Sequence, residues 1–130
     1  MTTRNLDALF APKSVALIGA SNKPGSIGAL VARNLMRGGF SGPILPVNPH
    51  EAAIGSTLAY PDVSALPQAP DLAILATPPG TIPDLIDQLG RRACRAAVVI
   101  TAGLDASARQ RMLDAARPHL LRIVGPNCLG

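Results

Sequence analysis

Short apolar runs bounded by glycine or proline alternate along this chain with stretches whose apolar residues recur every three or four positions. The runs are SVALIG (14–19), PILPV (43–47), DLAILAT (71–77), AAVVIT (96–101) and LLRIVG (120–125). Most are apolar throughout, as strands covered on both faces of a parallel sheet must be. Between them, Ile27, Leu30, Val31 and Leu35 lie at helical spacing, and Gly38-Gly39 ends the pattern. A second helix is expected from Thr81, with Thr81 as cap, Asp84 as its capping-box partner, and Ile82, Leu85, Ile86 and Leu89 as one apolar stripe. A third runs from about Asp105 to Arg117 and stops before Pro118. Residues 51–70 show no helical period and read as a short extended piece, a turn at YPD and one helical turn.

Strand, helix, strand, followed by two more strand–helix units, is the pattern that right-handed crossovers wind into an open, mainly parallel sheet. The expected fold is therefore a doubly wound, Rossmann-like α/β domain of three layers, helices on both faces of one sheet. Sheets of this kind bind ligands outside the carboxyl ends of their strands, near the point where strand order reverses. Five loops follow the five runs and become the candidates: GASNKPGSIG, NPH, TPPG, TAGL and GPNCLG.

With 130 residues and 48% hydrophobic content the chain suits one domain. Phe10, Phe40 and Tyr60 are its only aromatic residues, so base stacking has almost no platform and a single-stranded nucleic acid is not an expected partner. Twelve Lys+Arg against eight Asp+Glu give +4, and between residues 8 and 61 the charges are Lys13, Lys23, Arg33, Arg37 and a lone Glu51. The half holding the glycine-rich loop is locally positive, which suits a polyanionic small molecule as well as a solvated face. Cys94 and Cys128 lack metal-ligand spacing, and no signal or spanning segment opens the chain. A cytosolic protein with reduced thiols, no metal and no membrane partner is expected.

The first loop carries the chemistry. Gly19 ends its strand, Gly25 lets a backbone approach, and Gly28 sits in the first helical turn, so that amide N–H groups and the helix dipole can face a phosphate. The spacing G-x5-G-x2-G is three residues longer than the dinucleotide fingerprint G-x-G-x-x-G. The second strand ends in Val47-Asn48-Pro49, where an NAD-binding domain places an acid for the ribose. G-x-x-x-x-G-K-[ST] is absent, which speaks against a nucleoside triphosphatase. An NAD(P)-binding domain remains as an alternative that these two departures disfavour.

LFAPKSVALIGASNKPGSIG, ILPVNPH, DLAILATPP, VVITAGL and IVGPNCLG, in this order, resemble the N-terminal coenzyme A-binding domain of NDP-forming acyl-CoA synthetases and, more distantly, the α subunit of succinyl-CoA synthetase. The resemblance covers residues 6–130. It implies that the ADP part of CoA lies along Gly19, Ala20, Ser21, Gly25, Ser26, Ile27 and Gly28, with Val47, Asn48 and Pro49 on the adenosine side. Ala76, Thr77 and Pro78, with Thr101, Ala102 and Gly103, would follow the pantetheine; Asn127 and Cys128 would lie near the thiol. Charge adds Lys23, whose ammonium can pair with the pyrophosphate or the 3′-phosphate.

Synthetases of this family relay phosphate through a histidine in a second domain and charge it at a further nucleotide site. The chain ends directly after GPNCLG, so a module of a larger enzyme is expected, served by downstream synthetase domains or a partner subunit and making no acyl-CoA alone. Bacterial protein lysine acetyltransferases carry a similar domain, which leaves a CoA-binding regulatory module as a second alternative. His50 follows the second strand and reads as a surface-loop residue that could touch the adenosine phosphate, and His119 reads as structural or solvated. Cys128 could be a nucleophile near a helix N-terminus, but without a partner histidine it reads as a small pocket residue. Cys94, in RRACRAA, reads as packing between helix and strand.

Overall fold

A computed structural model describes residues 5–126. In chain order the elements are α1 (Leu6–Phe10), β1 (Val15–Ile18), α2 (Ile27–Arg37), β2 (Ile44–Val47), β3 (Ala53–Ile54), β4 (Thr57–Leu58), β5 (Leu72–Leu75), α3 (Ile82–Arg91), β6 (Ala96–Val99), α4 (Ala106–Ala116) and β7 (Arg122–Val124). Five strands form one parallel sheet in the order β2-β1-β5-β6-β7, and β3 pairs with β4 as a small antiparallel hairpin. The chain steps from β1 to one side and then builds the remaining strands on the other, so strand order reverses between β1 and β5. That reversal parts the loops after these two strands and opens a crevice between them.

Alternation along each strand divides the core between two faces. Ala16, Ile18, Ala73, Leu75, Ala97 and Val99 pack against Ile82, Ile86 and Leu89 of α3 and Ala108, Met112 and Ala116 of α4. Leu17 meets Ala32, Val31, Leu35 and Met36 of α2 on the opposite face, where Ala8 of α1 joins Val15, Leu72 and Ala96. The doubly wound, three-layer expectation holds. Pro46 sits inside β2 because β2 is an edge strand, where a missing N–H breaks no ladder bond. Tyr60 then donates its N–H to the Pro46 carbonyl at 2.9 Å, and the Asn48 N–H returns a bond to Tyr60 at 2.9 Å.

Local details depart from the sequence pattern in instructive ways. In α2 the stripe residues Ile27 and Leu30 are 43% and 44% exposed, and the buried positions are Gly28 and Ala32. Small residues let this helix lie so close to the end of β1 that its larger side chains are pushed to the flanks. Thr81 does not cap α3. A 3₁₀ turn over Pro79–Thr81 runs straight into the helix, leaving Thr81 with helical angles and its hydroxyl beside Thr77 Oγ1 (2.8 Å) and the Pro78 carbonyl (2.6 Å). Asp84 consequently accepts from Gln88 Nε2, 2.8 Å away, instead of closing a capping box. Helix α4 is capped as its sequence suggests, by Asp105 accepting from the Ala108 N–H at 2.7 Å. A 3₁₀ turn carries the chain past Pro118. At five residues α1 is too short for any period to show. Among the described residues no helix is long and apolar enough to cross a membrane.

Candidate functional site

A cleft of about 690 Å³ opens where strand order reverses, within the range of roughly 300–1,000 Å³ common to small-molecule sites. Gly19, Ala20 and Ser21 after β1, Val47, Asn48 and Pro49 at the end of β2, and Ala76, Thr77 and Pro78 after β5 all line it. These nine were expected from sequence to lie together.

The loop after β1 is held by contacts that exclude side chains. Gly19 turns with φ +95°, and a Cβ there would stand 2.9 Å from the Ala76 carbonyl carbon and oxygen. A Cβ on Gly28 would overlap the Gly19 carbonyl oxygen. Ser26 caps α2 by accepting the Ala29 N–H at 3.1 Å, so the Ile27 and Gly28 amides, at the first two helical positions, have no partner within the helix. Those two donors and the positive end of an 11-residue helix suit an anion. Asn48 ties two loops together: its Nδ2 donates to the Ala20 carbonyl at 2.9 Å, and its Oδ1 accepts from the His50 and Glu51 amides at 2.7 and 3.0 Å. Asn22 likewise links the loop to the β3–β4 hairpin through Ala53 and Gly55.

A second hollow, about 460 Å³, is lined by Ile27, Ile100, Thr101 and Ala102 and shares Ala76, Thr77 and Pro78 with the first. The two hollows adjoin at that segment, past the carboxyl ends of β2, β1, β5 and β6. Thr101 Oγ1 donates to the Thr77 carbonyl at 2.7 Å and fixes the loops on either side of the shared segment. Gly103 lies one residue beyond this lining, at φ +89°. Lys23 and Gly25 are exposed on the rim of the first loop and Ser26 is partly buried; none of the three lines either hollow. Asn127 and Cys128 lie outside the described residues.

The sequence pattern missed the far wall of the cleft: Pro61, Asp62, Val63, Gly80, Thr81, Asp84, Leu85 and Gln88. Thr81, Asp84, Leu85 and Gln88 follow helical spacing and so form one face of α3, a signal visible in sequence but ambiguous with an ordinary solvated face. Asp62 caps a 3₁₀ turn, accepting from the Ser64 hydroxyl (2.6 Å) and the Ala65 N–H (2.9 Å). These bonds hold its carboxyl below the ordinary value, the Ser64 hydroxyl contributing most.

Arg92 braces this wall from behind, its guanidinium donating to the carbonyls of Val63 (3.2 Å), Ser64 (3.0 Å) and Leu66 (2.7 Å). Arg92→Ala removes a donor from each of these carbonyls, and that of Val63 keeps only the Leu66 N–H. The expected loss is about 1–3 kcal/mol of stability, read as a lower urea midpoint, with increased hydrogen exchange confined to residues 61–66.

Charge is distributed less simply than its sequence suggests. Among the described residues, those lining the main cleft include Asp62 and Asp84 but no Lys, Arg or His. Arg33 and Arg37 border a separate hollow of about 490 Å³ against the β3–β4 hairpin. His50 is exposed beside the cleft, as expected of a loop residue. His119 is structural: its ring packs over Gly90, and its Nε2 lies 3.2 Å from Asp87. Cys94 is 2% exposed, and burial pushes its thiol up to about 12, so it is a packing residue and not a nucleophile.

Comparison with known proteins decides what kind of groove this is. The family described as a CoA binding domain matches residues 13–130. This chain belongs to that family. The CoA-binding domain is also 38% identical to a trans-feruloyl-CoA synthase of an unknown prokaryotic organism, over 99% of the chain and 19% of the synthase. It is 34% identical to the α subunit of the ADP-forming acetate–CoA ligase I of Pyrococcus furiosus, over 97% of the chain and 29% of the subunit. An acetyl-coenzyme A synthetase of Candidatus Korarchaeum cryptofilum, solved in its apo form, superposes with a TM-score of 0.91 at 33% identity, over 96% of the CoA-binding domain and 28% of the synthetase chain. The domain thus spans a fifth to under a third of these relatives and is homologous to one part of ADP-forming acyl-CoA synthetases. Coenzyme A is the ligand of the CoA-binding domain.

Proposed function

We propose that this domain holds CoA for an NDP-forming acyl-CoA ligase, with the ligand laid along the groove from the β2 loop to the β6 loop. The observation carrying the reading is that two hollows adjoin at Ala76, Thr77 and Pro78, on the side of the sheet where strand order reverses. Adenosine enters the cleft beside Val47, Asn48 and Pro49. The pyrophosphate faces the loop from Gly19 to Gly28, where the Ile27 and Gly28 amides and the rim cation Lys23 supply donors and charge. Pantetheine continues past Thr101, Ala102 and Gly103.

Forming a thioester from a carboxylate requires an activated acid, and downstream domains or a partner subunit of a cytoplasmic synthetase supply that step. The residues of this groove then bind the thiol substrate, shield it from water and aim it. Relatives named for ferulate and for acetate match the same residues comparably well, which supports placing acyl selection outside this domain. The lengthened loop and the absence of an acid after Val47 favour CoA over NAD.

Calorimetric titration tests the reading with CoA, dephospho-CoA and NAD side by side. CoA is expected to bind at least about tenfold more tightly than NAD, because neither the ribose-binding acid nor the tight dinucleotide turn is present. Dephospho-CoA falls between them if Lys23 meets the 3′-phosphate. NAD affinity equal to that of CoA sinks the assignment.

A further inference from the structure

Asp84, Gln88 and Asp62 bring two carboxylates and an amide oxygen, all acceptors, to the lining of the cleft. We infer that these acceptors read the 6-amino group of adenine, making Asp84 and Gln88 base-specificity residues; the inference rests on the CoA reading above. Thr81, just before α3, and Asp84, Leu85 and Gln88 on one face of it line the cleft together with Val47 and Pro49. The apolar lining of Ile18, Val47, Val63 and Leu85 suits a flat, uncharged ring.

The polar atoms on that face have directions set by their existing bonds. Gln88 Nε2 gives one of its two N–H groups to Asp84 Oδ2 at 2.8 Å, which leaves Gln88 Oε1 and Asp84 Oδ1 as acceptors beside a single Nε2 donor. Asp62 Oδ1 is occupied by the Ser64 hydroxyl and the Ala65 N–H, and Oδ2 remains. One Asn48 Nδ2 N–H is given to the Ala20 carbonyl, and the Thr81 hydroxyl is committed to Pro78 and Thr77.

Two carboxylates with no lining cation repel phosphate, so a polyanionic ligand must enter with its phosphates toward the Gly19–Gly28 loop and its neutral end toward α3. The exocyclic amine of adenine brings two N–H donors to an acceptor pair. A purine with a keto oxygen at the same position instead sets lone pairs against a carboxylate and keeps only its ring N1–H as a donor on that edge. Sites that bond a ligand group reject the analogue that cannot answer it, and even a half-exposed site gives at least about tenfold.

The test compares CoA with its hypoxanthine analogue by calorimetry on the wild-type chain, Asp84→Asn, and Asp114→Asn as a control on the exposed face of α4. Wild type and the control are expected to favour CoA by at least about tenfold. In Asp84→Asn the new amide can donate to the keto oxygen, and the preference shrinks to within about threefold; circular dichroism checks that the variant is folded. Equal binding of the two ligands by wild type, or an Asp84→Asn change that weakens both alike, overturns the inference and leaves the CoA reading standing. Failure of both ligands to bind overturns both.

Discussion

Gly28→Val is expected to abolish CoA binding in a protein that still folds. A Cβ at this position would overlap the Gly19 carbonyl oxygen and come within 3.3 Å of the Ser21 amide nitrogen. Neither neighbour is a side chain that can swing away, so the start of α2 must lift from the end of β1. That displacement moves the Ile27 and Gly28 amides away from the loop they share with the cleft, and a preorganised set of donors is lost. The expected stability loss is about 1–3 kcal/mol, typical of an extra group forced into a packed site. A thermal melt reads the fold and calorimetry reads the ligand. Unchanged CoA affinity in a folded Gly28→Val protein would place the phosphates somewhere other than the N-terminus of α2.

The second large effect concerns alkaline stability and Cys94. Burial pushes the Cys94 thiol from 9.0 up to about 12, with the nearby Asp71 carboxylate adding to the rise and the Ala96 backbone opposing it. Above pH 9 the unfolded chain releases a proton that the native chain keeps, so stability falls as pH rises through this window. Below pH 9 both states hold the proton and the group contributes no slope. The loss is at most about 1.4 kcal/mol per pH unit for one such thiol. Urea midpoints measured from pH 7 to 11 are expected to fall more steeply for wild type than for Cys94→Ala, although the variant starts lower because a buried side chain has been truncated. Parallel slopes in the two proteins would show that other groups govern the alkaline limb. Peptide mapping after brief thiol alkylation at pH 8 should find Cys94 unmodified in the native protein.

Much of the architecture was legible because it rests on short-range regularities. Each of the five apolar runs became a parallel strand, since runs flanked by glycine or proline and separated by helical periods leave few other solutions. The resemblance was carried by the loops that follow those runs. Nine of its residues line the main cleft for a topological reason: residues just past the carboxyl ends of β1, β2 and β5 converge wherever strand order reverses.

What the chain could not show in one dimension is how close its pieces come. Periodicity assigned the inner face of α2 to Ile27, Leu30, Val31 and Leu35; Val31 and Leu35 pack on the core, but contact with β1 buried Gly28 and Ala32 in place of Ile27 and Leu30, because a helix lying against a strand end needs the smallest side chains inward. Thr81 and Asp84 matched a capping box in spacing, yet a 3₁₀ turn entering α3 gave Thr81 helical angles, released Asp84 to Gln88, and turned that face toward the cleft. The bracing of residues 63–66 by Arg92 joins groups 26–29 positions apart, and no local pattern encodes it. The parallel strands, the doubly wound sheet and the glycine loop were therefore determined by the sequence, through backbone propensity and the hydrophobic period, whereas the strand order β2-β1-β5-β6-β7 came from the structure. The acidic far wall, the separation of Arg33 and Arg37 from the cleft and the burial that silences Cys94 were decided by packing, because each depends on distances between segments remote in the chain.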